Sequence, residues 1–371
     1  LFKCKVFMSL KCGIVGLPNV GKSTLFNALT ESNIPAENYP FCTIEPHLGI
    51  VQLPDKRLEK LKIIYNPEKV THATVEFIDI AGLVRGASKG EGLGNQFLGQ
   101  IRQTAAILHI VRCFDDEKIN HVDTSVDPIR DIETIETELL LADIETIQKQ
   151  KIKLEKNKKT GKDDEIAIIS MLDNLINHCS KGLKAKDFIA DKDLIFFKES
   201  LHLLTDKPIL YIANTNESAI INDDNKHIAS LKKYLSPNDK LISLCFSLEE
   251  EIGKLEINEQ LMFLEEYKLD EPGLNKVIRS SFNLLGLQTF FTCGEKEVRS
   301  WTTKSGVLAP QAAGVIHTDF EKGFIKAEVF HYDEIIQHGK EKTLREIGLI
   351  RQEGRNYEVQ DGDCIFFKFN V

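Results

Sequence analysis

Apolar and polar positions change period along this chain, and each change marks an element. Cys12-Gly13-Ile14-Val15 is a short apolar run, the pattern of a strand buried on both faces. Past a glycine-containing loop, Leu25, Phe26, Ala28 and Leu29 recur at helical spacing, so a strand–loop–helix unit is predicted. Val75-Glu76-Phe77-Ile78-Asp79-Ile80 and Pro208-Ile209-Leu210-Tyr211-Ile212-Ala213 read as further strands. Asp127-Pro128 is a helix start, with a capping aspartate and a proline in the first turn. Ile132, Ile135, Leu139, Ala142, Ile144 and Ile147 then mark one helical face. A lysine run from Lys149 to Lys162 follows, and Gly161 interrupts it. Ile166, Ile168, Ile169, Leu172, Leu175 and Ile176 form a returning helix, which makes a helical hairpin with a basic tip. A third helix is expected over Asp193 to Leu204, and a fourth, striped by Leu274, Val277, Ile278 and Leu285, stops at Gly286. From Leu287 the period drops to two. Ile325, Ala327 and Val329 alternate with Lys326 and Glu328. Tyr357 and Val359 lead into Asp361-Gly362, a hairpin signal, and a last strand from Cys364 to Val371.

The chemistry enters at the first loop. Gly16-Leu17-Pro18-Asn19-Val20-Gly21-Lys22-Ser23 spells GxxxxGKS, the phosphate-cradling loop of P-loop NTPases. Its glycines let backbone N–H groups turn toward an anion, and the following helix points its positive end at the same phosphates. Asn19, Val20, Gly21, Lys22, Ser23 and Thr24 are therefore the candidate phosphate ligands. Lys22 reaches the β- and γ-phosphates as a catalytic cation, and Ser23 offers its hydroxyl to Mg²⁺. The strand ending at Asp79 continues Ile80-Ala81-Gly82, a DxxG whose carboxylate supports Mg²⁺ through water. Between these two motifs, Tyr39-Pro40-Phe41-Cys42-Thr43-Ile44-Glu45-Pro46 places Thr43 as the third candidate metal ligand. Residues 83–94 carry so many glycines that they read as a lid rather than a helix. Leu83 stands where many GTPase switches have a glutamine that orients the attacking water. Leucine cannot bond water, so slow intrinsic hydrolysis stimulated by a partner is expected.

The guanine-reading NKxD element is absent. Asn157-Lys158, Asn225-Lys226 and Asn275-Lys276 each fail at the fourth position. The strand ending at Ala213 leads instead into Asn214-Thr215-Asn216-Glu217. With no lysine stem and a glutamate for the aspartate, the guanine fork is spoiled, while asparagine still pairs with the N6/N7 edge of adenine. Asn214, Thr215 and Glu217 are assigned to the base site, and ATP is expected to bind more tightly than GTP.

Bulk properties narrow the rest. The chain has 371 residues, 42% hydrophobic and 28% charged, with a net charge of −9. That charge disfavours general adhesion to nucleic acid, so any RNA contact needs a local basic patch. No apolar run approaches a membrane span. The eight cysteines are scattered without a CxxC, which argues against zinc and disulfides and for a cytoplasmic location. Residues 1–8 read as an N-terminal extension, with Met8 a better start.

GLPNVGKST, PFCTIEP, DIAGLV, GASKGEGLGNQFL, NTNE and APQAAGVIHTDFEKGFI together resemble the Obg-like ATPase family, YchF type, over Met8 to Val371. The resemblance implies a translation-factor-class α/β P-loop fold shifted from GTP to ATP. It also implies an inserted α-helical hairpin (coiled-coil) domain and a C-terminal α+β ubiquitin-like (β-grasp) TGS domain. The expected partner is the ribosome, through its large subunit and rRNA. The family's substitute for the missing glutamine is a histidine that maps onto His121, and some relatives bind K⁺ through the residue matching Asn19. His47 departs from the family's asparagine. The expected division is a P-loop domain over 9–130 and 205–286, a helical domain over 131–204 and a TGS domain over 287–371. The alternatives are an Obg-type GTPase in ribosome assembly and a non-catalytic adaptor with a structural nucleotide. Trp301 reads as core or domain interface.

Overall fold

The computed structural model describes residues 10–31, 47–80, 93–116, 125–157, 163–222 and 224–370. Two compact units emerge, one from residues up to 49 and 76–274, the other from 50–75 and 275–371. The first is built on a six-stranded sheet. Its strands are β1 (Lys11–Val15), β2 (Leu48–Gln52), β4 (Thr74–Asp79), β5 (Ala106–Arg112), β6 (Ile209–Asn214) and β7 (Lys240–Leu244), in the order β2-β4-β1-β5-β6-β7. β1 runs parallel to β4 and β5, β5 to β6, and β6 to β7. Every residue of β5 and β6 is buried, as expected of strands covered on both faces.

The hairpin forms from the helices Pro128–Asn157 and Asp163–Ser180, which share a core of Leu140, Ile147, Met171, Leu172 and Leu175. Its tip, with Lys158, Lys159 and Lys162, lies outside the described residues. Lower in the lysine run, Lys149 pairs with Glu145 and Lys151 with Asp173. The expected helix over Asp193 to Leu204 is corrected to Ile195–Ser200, flanked by 3₁₀ turns. Asp143 explains the break. Its carboxylate accepts from Leu204 N at 2.7 Å, Thr205 N at 2.8 Å and the Thr205 hydroxyl at 2.7 Å, so a side chain takes donors a longer helix would use.

A part-buried polar contact joins this insertion to the sheet. The Tyr211 hydroxyl on β6 donates to Glu136 at 2.7 Å, and Lys184 reaches the same carboxylate at 2.7 Å. Next to Tyr211, His109 is fully buried in β5, ring centroids 5.6 Å apart. Burial, with Lys184 nearby, depresses its pKa to about 3. The unfolded imidazole titrates near 6.5, so this histidine's contribution is complete above that pH and is lost as pH falls toward 3. At about 1.4 kcal/mol per pH unit, the loss at pH 5 reaches roughly 2 kcal/mol. Urea unfolding of the wild type and His109→Gln at pH 7 and pH 5 checks this; the variant should lack that share of the acid sensitivity.

The second unit holds a mixed six-stranded sheet, β11-β10-β12-β8-β9-β3. Its strands are β3 (Lys69–Thr71), β8 (Leu287–Cys293), β9 (Glu297–Lys304), β10 (Phe324–His331), β11 (Arg351–Glu353) and β12 (Asp363–Phe369). Four expectations need correction here. Residues 50–75 leave the P-loop unit, because Leu58 and Leu61 bury against Phe291, Phe330 and Leu344 while β3 pairs with β9. Residues 275–286 likewise cluster with this unit rather than with the P-loop one. Ile325 does not share the inward face of Ala327 and Val329 but is 56% exposed, because the register with β12 shifts between Phe324 and Lys326. Asp361-Gly362 does not turn a hairpin, since β11 and β12 flank β10 instead of pairing. Asp361 instead accepts from Thr289 N at 2.9 Å and pairs with Arg57 at 2.8 Å, and Gly362 (φ +93°) supplies the left-handed turn. Trp301 stacks on buried Phe290, centroids 6.4 Å apart.

Candidate functional site

β1 ends at Val15, and the loop that follows makes two left-handed turns, at Asn19 (φ +62°) and Gly21 (φ +102°), before the helix Lys22–Glu31 begins. Gly21 is demanded twice, by its φ and by space: a Cβ there would lie 2.7 Å from the Asn214 amide nitrogen and 2.8 Å from the Phe246 ring. The turns and the helix start gather backbone N–H groups at one point, which makes an anion site. Lys22 is buried, and its ammonium donates to the loop's own Leu17 carbonyl at 2.8 Å. Burial lowers its pKa, and the facing Asp79 charge opposes that shift.

Ser23 and Asp79 are brought together from 56 residues apart, the hydroxyl donating to Asp79 Oδ2 at 2.9 Å. The other oxygen, Asp79 Oδ1, is buried with no hydrogen-bond partner among the described residues. A hydroxyl beside a carboxylate with an unsatisfied oxygen is a hard donor set of the kind Mg²⁺ takes, so these residues fit the ion. Thr43 and His121 lie outside the described residues, as do Gly82 and Leu83. His47 sits at φ +71°, in the left-handed region.

A cavity of about 630 Å³ opens over this loop, lined at its phosphate end by Asn19 to Thr24. Asn214, Thr215 and Asn216 line it too, with Phe114, Asp116, Phe246, Ser247 and Glu250. The cavity lies at the carboxyl ends of β1, β5, β6 and β7, where open α/β sheets bind ligands.

Comparison with known proteins places this geometry. Residues 11–158 match the family described as 50S ribosome-binding GTPase, and residues 287–370 match the YchF GTPase C-terminal family, described as a protein of unknown function. A Haemophilus ducreyi protein named ribosome-binding ATPase YchF is 50% identical over 365 residues, 98% of this chain and 100% of the relative. Its Bacillus subtilis namesake is 48% identical over 368 residues, with the same coverage. The solved structure of the Schizosaccharomyces pombe YchF GTPase superposes with TM-score 0.88 at 38% identity, over 96% of this chain and 97% of that one. The chain belongs to the YchF family.

Within this YchF-family site the base end differs from the sequence reading. Asn214 is buried and spans two backbone segments: its amide nitrogen donates to Val20 O at 3.0 Å, and its oxygen accepts from Phe246 N at 3.4 Å. One N–H and one oxygen lone pair of that amide remain for a ligand. Thr215 donates its N–H to Leu244 O at 2.8 Å, and its hydroxyl accepts from Asn225 at 2.9 Å. Glu217 opens the helix Glu217–Asn222 and is not among the cavity-lining residues.

The sequence reading missed Phe114, Asp116, Phe246, Ser247 and Glu250. Arg112 holds the first two in place, donating to Phe114 O and Asp116 O at 3.1 Å each with its guanidinium 4.7 Å from the Phe114 ring centroid. The others follow β7, whose Leu241-Ile242-Ser243-Leu244 carried a short strand signal.

Proposed function

We propose that the cavity binds Mg-ATP in preference to GTP, and that hydrolysis drives a ribosome-associated switch in the cytoplasm. The two relatives compared above are named ribosome-binding ATPases, which supports ATP hydrolysis and a ribosomal partner for this chain. The large subunit and its rRNA are the contact expected there. Known names in the family divide between ATPase and GTPase, and one observation here favours adenine. The β6-end segment reads Asn214-Thr215-Asn216-Glu217, and no lysine lines the described base end of the cavity.

Ser23 and Asp79 would hold the magnesium ion, with Thr43 completing the set. The bound ion supplies positive charge against the phosphate oxygens. Lys22 exchanges its Leu17 carbonyl for the β- and γ-phosphates, a short movement for a long stem already aimed at the loop. Gly21 and the first turn of the helix give backbone N–H donors, and Asn214 keeps the loop in register with the Phe246 segment. His121 is the proposed water-positioning group in place of a glutamine, and K⁺ beside Asn19 belongs to the same proposal. The C-terminal sheet, with helices packed on it, supports the ubiquitin-like TGS reading.

Titration calorimetry with Mg-ATP and Mg-GTP tests the base assignment. ATP should bind at least about tenfold more tightly, a difference of about 1.4 kcal/mol. Tighter GTP binding would establish the GTPase reading instead. Phosphate release with and without ribosomes separates a stimulated ATPase, which rises with ribosomes, from an adaptor, which releases none in either case.

A further inference from the structure

We propose that Asn225 is a positioning residue for the nucleoside part of the ligand, an inference that rests on the nucleotide reading above. Its dipeptide, Asn225-Lys226, fails as a guanine reader, and Asn225 is not among the residues that line the cavity. The side chain acts from behind the wall, where its amide joins three segments of chain. Its nitrogen donates to Cys113 O at 2.8 Å and to the Thr215 hydroxyl at 2.9 Å. Its oxygen accepts from His227 N at 2.9 Å and Ile228 N at 3.1 Å, which caps the helix Lys226–Tyr234. Both N–H groups and the oxygen are thereby engaged.

Two of the three segments build the cavity. Cys113 follows the end of β5 and precedes Phe114 and Asp116, which line it. Thr215 follows the end of β6 and lines it beside Asn214 and Asn216. The β5–β6 ladder runs up to Arg112 opposite Asn214, and Cys113 N donates to Asn214 O at 2.7 Å. The Asn225 amide carries that connection one residue further, to Thr215. Arg112 fixes the Phe114 and Asp116 backbone relative to β5, whereas Asn225 fixes the same stretch relative to β6 and the helix.

The third segment makes the tether stiff. Capping bonds hold the amide plane, and buried Ile228 and Leu231 anchor the helix behind it. The helix start touches the β5-end segment a second time, through Asp115, 3.3 Å from Lys226 and 3.6 Å from His227. Asp115 and Lys226 are exposed, so that pair contributes little. Cys113 and Thr215 are buried, so bonds lost there are poorly replaced by water. The phosphate end depends on other contacts: the turns at Asn19 and Gly21, the helix start at Lys22, and Asn214 on Val20 O. Loss of the Asn225 tether should therefore loosen the grip on the nucleoside and spare the grip on the phosphates.

Titration calorimetry with Mg-ATP and with magnesium tripolyphosphate, a triphosphate chain without base or ribose, reads that split. Asn225→Ser keeps an oxygen at the cap and has no amide to reach Cys113 and Thr215. It should weaken Mg-ATP at least about tenfold and leave tripolyphosphate within about twofold of wild type. Asn225→Asp keeps the cap and the shape without the N–H donors; it should show the same split, and it decides if the serine variant misfolds. Equal weakening of both ligands would make Asn225 a structural residue of the whole unit and overturn the proposal. Unchanged Mg-ATP affinity in the variants also overturns it, while the nucleotide reading stands. Wild type that binds tripolyphosphate as tightly as Mg-ATP has no nucleoside contact to position, which overturns it as well. Wild type that binds neither ligand removes the nucleotide reading itself, and this inference with it.

Discussion

Lys22→Ala should lower phosphate release by two to three orders of magnitude while the melting temperature stays the same or rises. The two halves of that result have one cause. The ammonium is buried, its pKa is lowered by that burial, and its partner without nucleotide is the Leu17 carbonyl at 2.8 Å. Holding an ammonium there is unfavourable for the empty protein, so deleting it removes a desolvation penalty together with one hydrogen bond. With a triphosphate bound the balance reverses. A preorganised donor aimed at developing charge in a site that excludes water is worth ~10²–10³ in rate. Phosphate release and a thermal melt, on the same preparation, read both halves. Turnover within a few-fold of wild type would remove Lys22 from its assigned role, and a large fall in melting temperature would make the lysine a structural residue.

Asp143→Ala should destabilise the first unit by about 3–5 kcal/mol, since each buried donor left unsatisfied costs about 1–3 kcal/mol. Asp143 is buried on the long hairpin helix and takes three donors, two N–H groups and one hydroxyl, where the chain returns toward β6. Alanine leaves those donors without acceptors away from water. For a unit of this size the melting temperature should fall by roughly 10 °C, at 2–4 °C per kcal/mol. Burial raises the Asp143 pKa against the opposing hydrogen bonds, which shows that the charge itself is held at some expense. Asp143→Asn keeps one acceptor without the charge, so it should lose less than alanine. Denaturant unfolding of both variants checks the order. Equal losses would mean that the carboxylate's charge, rather than its acceptor geometry, holds the return segment.

The local elements of the site were legible because their signals are local. A buried apolar run, a glycine-spaced loop and a helical stripe occupy adjacent residues, and the structure places Asn19 to Thr24 on the cavity as that pattern required. Ser23 and Asp79 were assigned to one ion from their motifs, and their side chains meet at 2.9 Å. The base end was less legible. Asn214 was read as a free side chain facing a ligand, but in the fold it ties Val20 to Phe246. Phe246, Ser247 and Glu250 come from a segment with no phosphate or metal motif, brought there because β7 lies beside β6.

The sequence by itself determined the P-loop, the hairpin, the change of period at Leu287 and the kind of ligand. Each depends on side-chain pattern and backbone freedom within a few residues, and short-range physics reads those directly. Only the tertiary structure decided that residues 50–75 pack with the second unit and that Ile325 faces outward across a register shift. Those outcomes depend on which distant surface buries an apolar face or completes a ladder. That competition is settled by the whole chain at once, so no short window of sequence contains it.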